Sequence, residues 1–125
     1  MQVDLMRGKI LSGLGQAQYF LTREGYSRQF AAKLGFVPFP GTLNVLLEEP
    51  FPAEGTAIEI ESFTEEGRTF GACRCRRILL NGIAAAAVRP EKSRYPPELI
   101  EVIAPVQLRL ALGLKDGDSV EVVLI

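Results

Sequence analysis

Histidine and tryptophan are both absent from this 125-residue chain. The missing histidine excludes Ser-His-Asp and Cys-His catalysis, histidine-containing zinc sites, and any reaction needing an unperturbed side chain that titrates near neutrality. An excess of basic residues is lacking too. Fourteen Lys and Arg against fifteen Asp and Glu leave a formal charge of -1, which argues against a nucleic-acid binder working through a broad basic face. Long hydrophobic runs are missing: the uncharged stretch Ile78 to Val88 is far too short to span a bilayer. Met1-Gln2-Val3-Asp4 has no basic region followed by an apolar run, so nothing reads as a signal peptide. Cysteine is confined to Cys73 and Cys75. On a strand their Cα atoms lie roughly 7 Å apart on one face, at the outer limit for a disulfide, so two reduced thiols are expected. Two thiols without histidine fall short of a structural zinc site. Together these absences lead us to expect a soluble, cytoplasmic protein.

What is present is ordinary for a globular chain, with 47% hydrophobic and 23% charged residues. We expect one domain over residues 1–125, burying roughly two-thirds of its unfolded surface. Most of it reads as strand: Met6 to Ser12, Ala17 to Thr22, Thr42 to Leu47, Ala57 to Ser62 and Thr69 to Leu80 are rich in aliphatic and β-branched residues. Asn81-Gly82 is a two-residue hairpin signal, since both turn positions need positive φ. It joins the preceding strand to Ile83–Arg89, whose alanine run is read as strand from its place after the turn. Two short helices are expected. Ser27 caps Arg28 to Leu34 with Gly35 beyond its end, and Pro105 starts Val106 to Leu112, ended by Gly113. Asp116-Gly117-Asp118 then turns into a final strand, Ser119 to Ile125. Many short strands with two short helices imply a mainly β fold, a small closed or nearly closed barrel.

Several segments admit both a chemical and a plain reading. Ser12-Gly13-Leu14-Gly15-Gln16-Ala17-Gln18 is either a phosphate-cradling glycine loop or a simple β-turn; it lacks the Lys-Ser/Thr ending of a P-loop. Thr42 and Asn44 project from one side of a strand, as hard oxygen donors suited to Mg²⁺ or as a loop-closing turn. Glu101 sits inside an apolar strand, either partly buried with a partner or at an edge. Arg109 either reaches a phosphate or is solvated. The cluster Arg74-Cys75-Arg76-Arg77 reads as a solvated strand face, the alternative being a DNA-binding barrel of the swapped-hairpin type.

Taken in order, these segments resemble one family, the archaeal-type CTP-dependent riboflavin kinases. The resemblance rests on Gly8 to Gly15, on Gly35-Phe36-Val37-Pro38-Phe39-Pro40-Gly41-Thr42-Leu43-Asn44-Val45, and on Arg89-Pro90 to Tyr95. It continues through Leu99-Ile100-Glu101-Val102-Ile103-Ala104-Pro105, Leu108-Arg109 and Leu114-Lys115-Asp116-Gly117-Asp118-Ser119-Val120. It implies a six-stranded cradle-loop β-barrel and transfer of the γ-phosphate of CTP to the 5′-hydroxyl of riboflavin, giving FMN and CDP. By motif position Gly13, Leu14, Gly15, Gln16, Ala17 and Gln18 bind nucleotide, as do Val106, Gln107, Leu108 and Arg109. Thr42 and Asn44 bind Mg²⁺, Ser93 and Glu101 contact the flavin, and Glu101 is the catalytic candidate. The family pattern has glutamate and glycine at the positions of Gln16 and Ala17. That departure restricts the backbone at Ala17 and allows the alternative of a flavin- or nucleotide-binding protein without turnover. The amino-terminal helix-turn-helix domain of many relatives is not expected, nor are nucleic-acid or membrane partners, and the protein is expected to be a monomer.

Overall fold

A computed structural model describes residues 4–13, 17–52 and 57–125. The elements run β1 (Leu5–Leu11), α1 (Ala17–Leu21), α2 (Glu24–Leu34), β2 (Leu43–Leu47), β3 (Ile58–Ile60), β4 (Phe63–Glu65), β5 (Arg68–Phe70), β6 (Cys73–Leu80), β7 (Ile83–Pro90), β8 (Leu99–Ile103), α3 (Leu108–Leu112) and β9 (Ser119–Leu124). Strands β6, β7, β8, β2, β1 and β9 follow one another in the sheet, and β9 pairs back onto β6. Every pairing is antiparallel, so the six close into a barrel. Strand β6 carries the closure on half its length: Ile78 to Leu80 pair with β9, while Cys73 to Cys75 pair with β3. Closure pairs each of the six barrel strands on both sides, leaving β3, which pairs with β6 alone among the described residues, as the outer strand of the sheet.

Alternation fills the interior. Strand β1 buries Met6, Gly8 and Ile10 in turn, and β9 buries Val120, Val122 and Leu124. Leu43, Val45, Ile78, Leu80, Ile100 and Val102 join them in one cluster. A six-stranded barrel is narrower than the eight-stranded kind that side chains just fill. Small inward residues are therefore needed, and Ala85 and Ala87 supply them from β7. This explains why the alanine run is a strand despite its helical propensity. Asn81 (φ 46°) and Gly82 (φ 84°) make the expected hairpin turn before it.

The outer face of β3, β6, β7 and β8 carries a second core. Ile60, Cys73, Cys75, Ala86 and Ile103 pack there under Leu21, Phe30 and Leu34 of the two amino-terminal helices. Both cysteines are buried and free, as their spacing requires. The β4–β5 hairpin closes over α2 through aromatic contacts: Phe63 and Phe70 stack at 5.2 Å, with Tyr26 edge-on to Phe63 at 4.6 Å. Arg77 is no solvated arginine. Its guanidinium donates to Leu34 O at 2.8 Å and Lys33 O at 3.0 Å, satisfying carbonyls at the end of α2. Gly35, at φ 83°, caps that same end in the left-handed conformation.

Five local expectations are corrected. Ala17 to Thr22 is not a strand; Ala17–Leu21 is helical, because both edges of β1 are already taken by β2 and β9, and the segment packs Leu21 into the second core instead. The helices number three among the described residues. Helix α2 starts at Glu24 rather than after a Ser27 cap, with Arg23 at the N-cap making no side-chain bond. The stretch Thr69 to Leu80 is two strands, broken at Gly71-Ala72. At the other end of the chain α3 begins at Leu108, not Val106.

Gly8 faces the barrel interior, where an added Cβ would stand 2.7 Å from the Leu46 carbonyl oxygen and 2.8 Å from Val45 Cγ1. The oxygen belongs to the backbone of a paired strand and cannot swing away. Gly8→Ala is expected to lower stability by about 1–3 kcal/mol through overpacking, read from urea unfolding midpoints. Unchanged midpoints would mean that the barrel breathes enough to admit a methyl group.

Candidate functional site

The register of β2 against β8 sets Asn44 opposite Glu101, and that of β1 against β2 sets Leu11 opposite Asn44. With Leu43 and Val45 pointing inward, Thr42 and Asn44 share the outer side with Glu101. The Thr42 hydroxyl donates to Glu101 Oε1 at 3.3 Å. Asn44 is a buried polar residue, and among the described residues its Oδ1 has no hydrogen-bond partner. A buried amide oxygen left unpaired costs free energy, which marks it as a group held ready for something else. Gly13, just past the end of β1, lies against the same amide: a Cβ there would stand 2.9 Å from Asn44 Nδ2. Only glycine lets the chain pass this close.

Electrostatics single out the carboxylate. Burial raises the proton affinity of Glu101 above the usual glutamate range, opposed in part by the Thr42 hydroxyl. Cys73 lies within electrostatic reach of Glu101, so the second core and this site are neighbours. An amide oxygen, a hydroxyl and one carboxylate form a hard-oxygen set. Among the described residues no three His, Cys, Asp or Glu cluster as a metal centre. This donor set therefore fits a small hard cation that keeps most of its water and takes few protein ligands.

The remaining sequence candidates fall on both sides of this centre. Leu14, Gly15 and Gln16 lie outside the described residues. Ala17 and Gln18 form the first turn of α1, so Ala17 sits in a helical conformation that alanine favours. Gln107 is the N-cap of α3, Val106 is exposed, and Leu108 buries its side chain in the barrel core, leaving its backbone for any ligand. Arg109 reaches back to β1, donating from Nη2 to Leu11 O at 3.2 Å and Asp116 Oδ1 at 2.5 Å. The other Asp116 oxygen accepts from the Ser12 hydroxyl. Segments 12–13 and 107–109 are thus neighbours in space. Ser93 serves a turn, its Oγ accepting from Tyr95 N at 3.2 Å, and no hydrogen bond among the described residues joins it to Glu101. A groove of about 1020 Å³ along β3, β6 and β7 contains none of Thr42, Asn44 or Glu101. One of its charged pairs, Arg74 with Glu59 at 3.2 Å, spans neighbouring strands in register.

Two features escape a reading of spacing alone. The Thr42–Glu101 bond joins residues 59 positions apart and needs the strand register to be known. Asp116 looks like a turn former and nothing more, until Ser12 and Arg109 are seen to converge on it.

Comparison with known proteins finds a match over residues 10–124 to the family model CTP-dep_RFKase, described as a domain of unknown function, DUF120. A protein named riboflavin kinase from Methanocella arvoryzae is 55% identical over 121 residues, covering 96% of this chain and 56% of that protein. One of the same name from Methanosarcina barkeri is 50% identical over 125 residues, covering 95% and 56%. Another from Ignicoccus hospitalis is 46% identical over 125 residues, covering 95% and 70%. The chain therefore spans little more than half the length of the first two relatives.

The raised proton affinity of Glu101 has a consequence for stability. Its folded form prefers the protonated state, so ionisation penalises the fold above the ordinary glutamate range, and the penalty disappears as pH falls below that range. Glu101→Gln keeps an acceptor for Thr42 and removes the charge. The variant is expected to melt higher than the parent at pH 7, with the two curves converging toward pH 4. A variant less stable at neutral pH would show that the carboxylate is stabilised where it stands.

Proposed function

Because the chain belongs to the CTP-dependent riboflavin kinase family, we propose that it transfers the γ-phosphate of CTP to the 5′-hydroxyl of riboflavin, releasing FMN and CDP. The observation that carries this reading is the outward-facing trio Thr42, Asn44 and Glu101, with an unpartnered buried amide oxygen beside a carboxylate of raised proton affinity. Phosphoryl transfer asks a protein mainly for positioning and charge neutralisation, and it needs no histidine.

In this proposal Thr42 and Asn44 hold Mg²⁺, which when bound neutralises charge on the phosphate oxygens. Gly13, Leu14, Gly15, Gln16, Ala17 and Gln18 follow the phosphates on one side, and Val106, Gln107, Leu108 and Arg109 line the nucleotide on the other. Ser93 and Glu101 receive riboflavin. A new bond forms between the 5′ oxygen and the γ-phosphorus as the bond to the bridging oxygen of CDP breaks. The hydroxyl proton passes to Glu101, whose burial moves its proton affinity in the direction that a general base requires. The helical start at Ala17 removes the backbone objection to this reading, since alanine is unstrained there.

FMN formation from riboflavin, followed by fluorescence-detected chromatography with each of CTP, ATP, GTP and UTP and with Mg²⁺, tests the reading. Turnover with CTP as the best donor is expected, and Glu101→Gln should lower kcat by about 10²-fold or more. No turnover with any nucleotide would overturn the kinase assignment. ATP as the best donor would overturn the donor alone, and a loss confined to KM would make Glu101 a positioning group.

A further inference from the structure

The two segments that the proposed function gives to the nucleotide lie far apart in the chain, and one carboxylate ties them together. Asp116 accepts from the Ser12 hydroxyl, which precedes Gly13, and from Arg109 Nη2 at 2.5 Å. The same Nη2 also donates to Leu11 O at 3.2 Å. Both hydrogens of that nitrogen are then engaged, and the planar guanidinium is fixed in orientation. The turn that delivers Asp116 is itself docked on β1. Gly117 N donates to Ile10 O at 2.8 Å, Ile10 N to Asp118 O at 2.9 Å, and Lys115 N to Asp118 Oδ2 at 2.8 Å. Gly117, at φ 87°, supplies the left-handed conformation that this turn requires.

Stability is a poor explanation for this arrangement. The Arg109 and Asp116 side chains are 35% and 53% exposed, and exposed ion pairs contribute little to a fold. Charge alone is a poor explanation as well, since a carboxylate near a polyphosphate repels it. What the arrangement does supply is geometry: it holds the end of β1 and the first turn of α3 in one fixed relation. We propose that Asp116 is a positioning residue for the nucleotide site, acting through Arg109 and Ser12 to preorganise the walls that take the polyphosphate of a nucleoside di- or triphosphate. This inference rests on the nucleotide reading given above.

The charge and positioning accounts differ in sign, which makes the test decisive. Asp116→Asn removes a negative charge close to the phosphates, so a purely electrostatic role would tighten nucleotide binding. Positioning weakens it. Isothermal titration of the full chain with CDP and Mg²⁺ is expected to show a Kd about tenfold higher for Asp116→Asn, and about threefold higher for Ser12→Ala, which cuts one arm. Riboflavin affinity should stay unchanged. In an Arg109→Ala background the Asp116→Asn effect should largely vanish, because its main route is gone. Unchanged or tighter CDP binding in both Asp116→Asn and Ser12→Ala would overturn this inference alone, as would an undiminished loss in the Arg109→Ala background. A parent protein that binds CDP without forming FMN would leave the inference standing and sink the kinase reading. A parent that binds no nucleotide would overturn both.

Discussion

The antiparallel register of β2 against β8 is the constraint on which the site depends. It sets Asn44 opposite Glu101 and brings the Thr42 hydroxyl to the carboxylate, while Leu43, Val45, Ile100 and Val102 turn into the barrel. Side chains alternate with a period of two, so a slip of one residue would send the polar set into the core and the aliphatic set outward. Barrel closure makes that slip prohibitive. Each of the two strands is paired on both sides, β2 with β1 and β8, and β8 with β2 and β7. The interior cluster and the polar outer trio are therefore two faces of one hydrogen-bonded ladder.

Two groups in this site work against the fold. The Asn44 amide oxygen is buried without a described partner, and Glu101 is a carboxylate raised in proton affinity by burial. Both are costs that the rest of the structure must offset, chiefly the barrel cluster and the second core under α1 and α2. Polar groups that cost stability where they stand are the usual mark of selection for function at the expense of stability, and in the proposed function these two would serve a cation and an acceptor hydroxyl. Gly13 belongs with them, since its lack of a side chain lets the chain lie against Asn44.

Much of this architecture was legible in the sequence. The Asn81-Gly82 turn, the glycines that end α2 and α3, and the apolar strands at either end of the barrel act locally, and local chemistry can be read residue by residue. The pairing of Thr42 with Asn44 followed from their spacing. Ala17–Leu21 was misread because its composition suits a strand, whereas the absence of a free strand edge beside β1 is a property of the whole sheet. Arg77 looked solvated for a similar reason: its partners are carbonyls 43 and 44 positions away at the end of α2. The Thr42–Glu101 contact and the convergence on Asp116 likewise arise from register and turn docking. The order of motifs along the chain, more than any single one, pointed to the family that the comparison then showed.

The central claim is that the unpartnered amide oxygen of Asn44 is kept for a divalent cation beside the acceptor site. Electron paramagnetic resonance of Mn²⁺, used in place of Mg²⁺ and titrated in the presence of CDP, measures that directly. The account predicts one protein-dependent site, weakened about tenfold or more by Asn44→Ala and by Thr42→Val, with the fold retained in the circular dichroism spectrum. Equal Mn²⁺ affinity in the parent and both folded variants would contradict it.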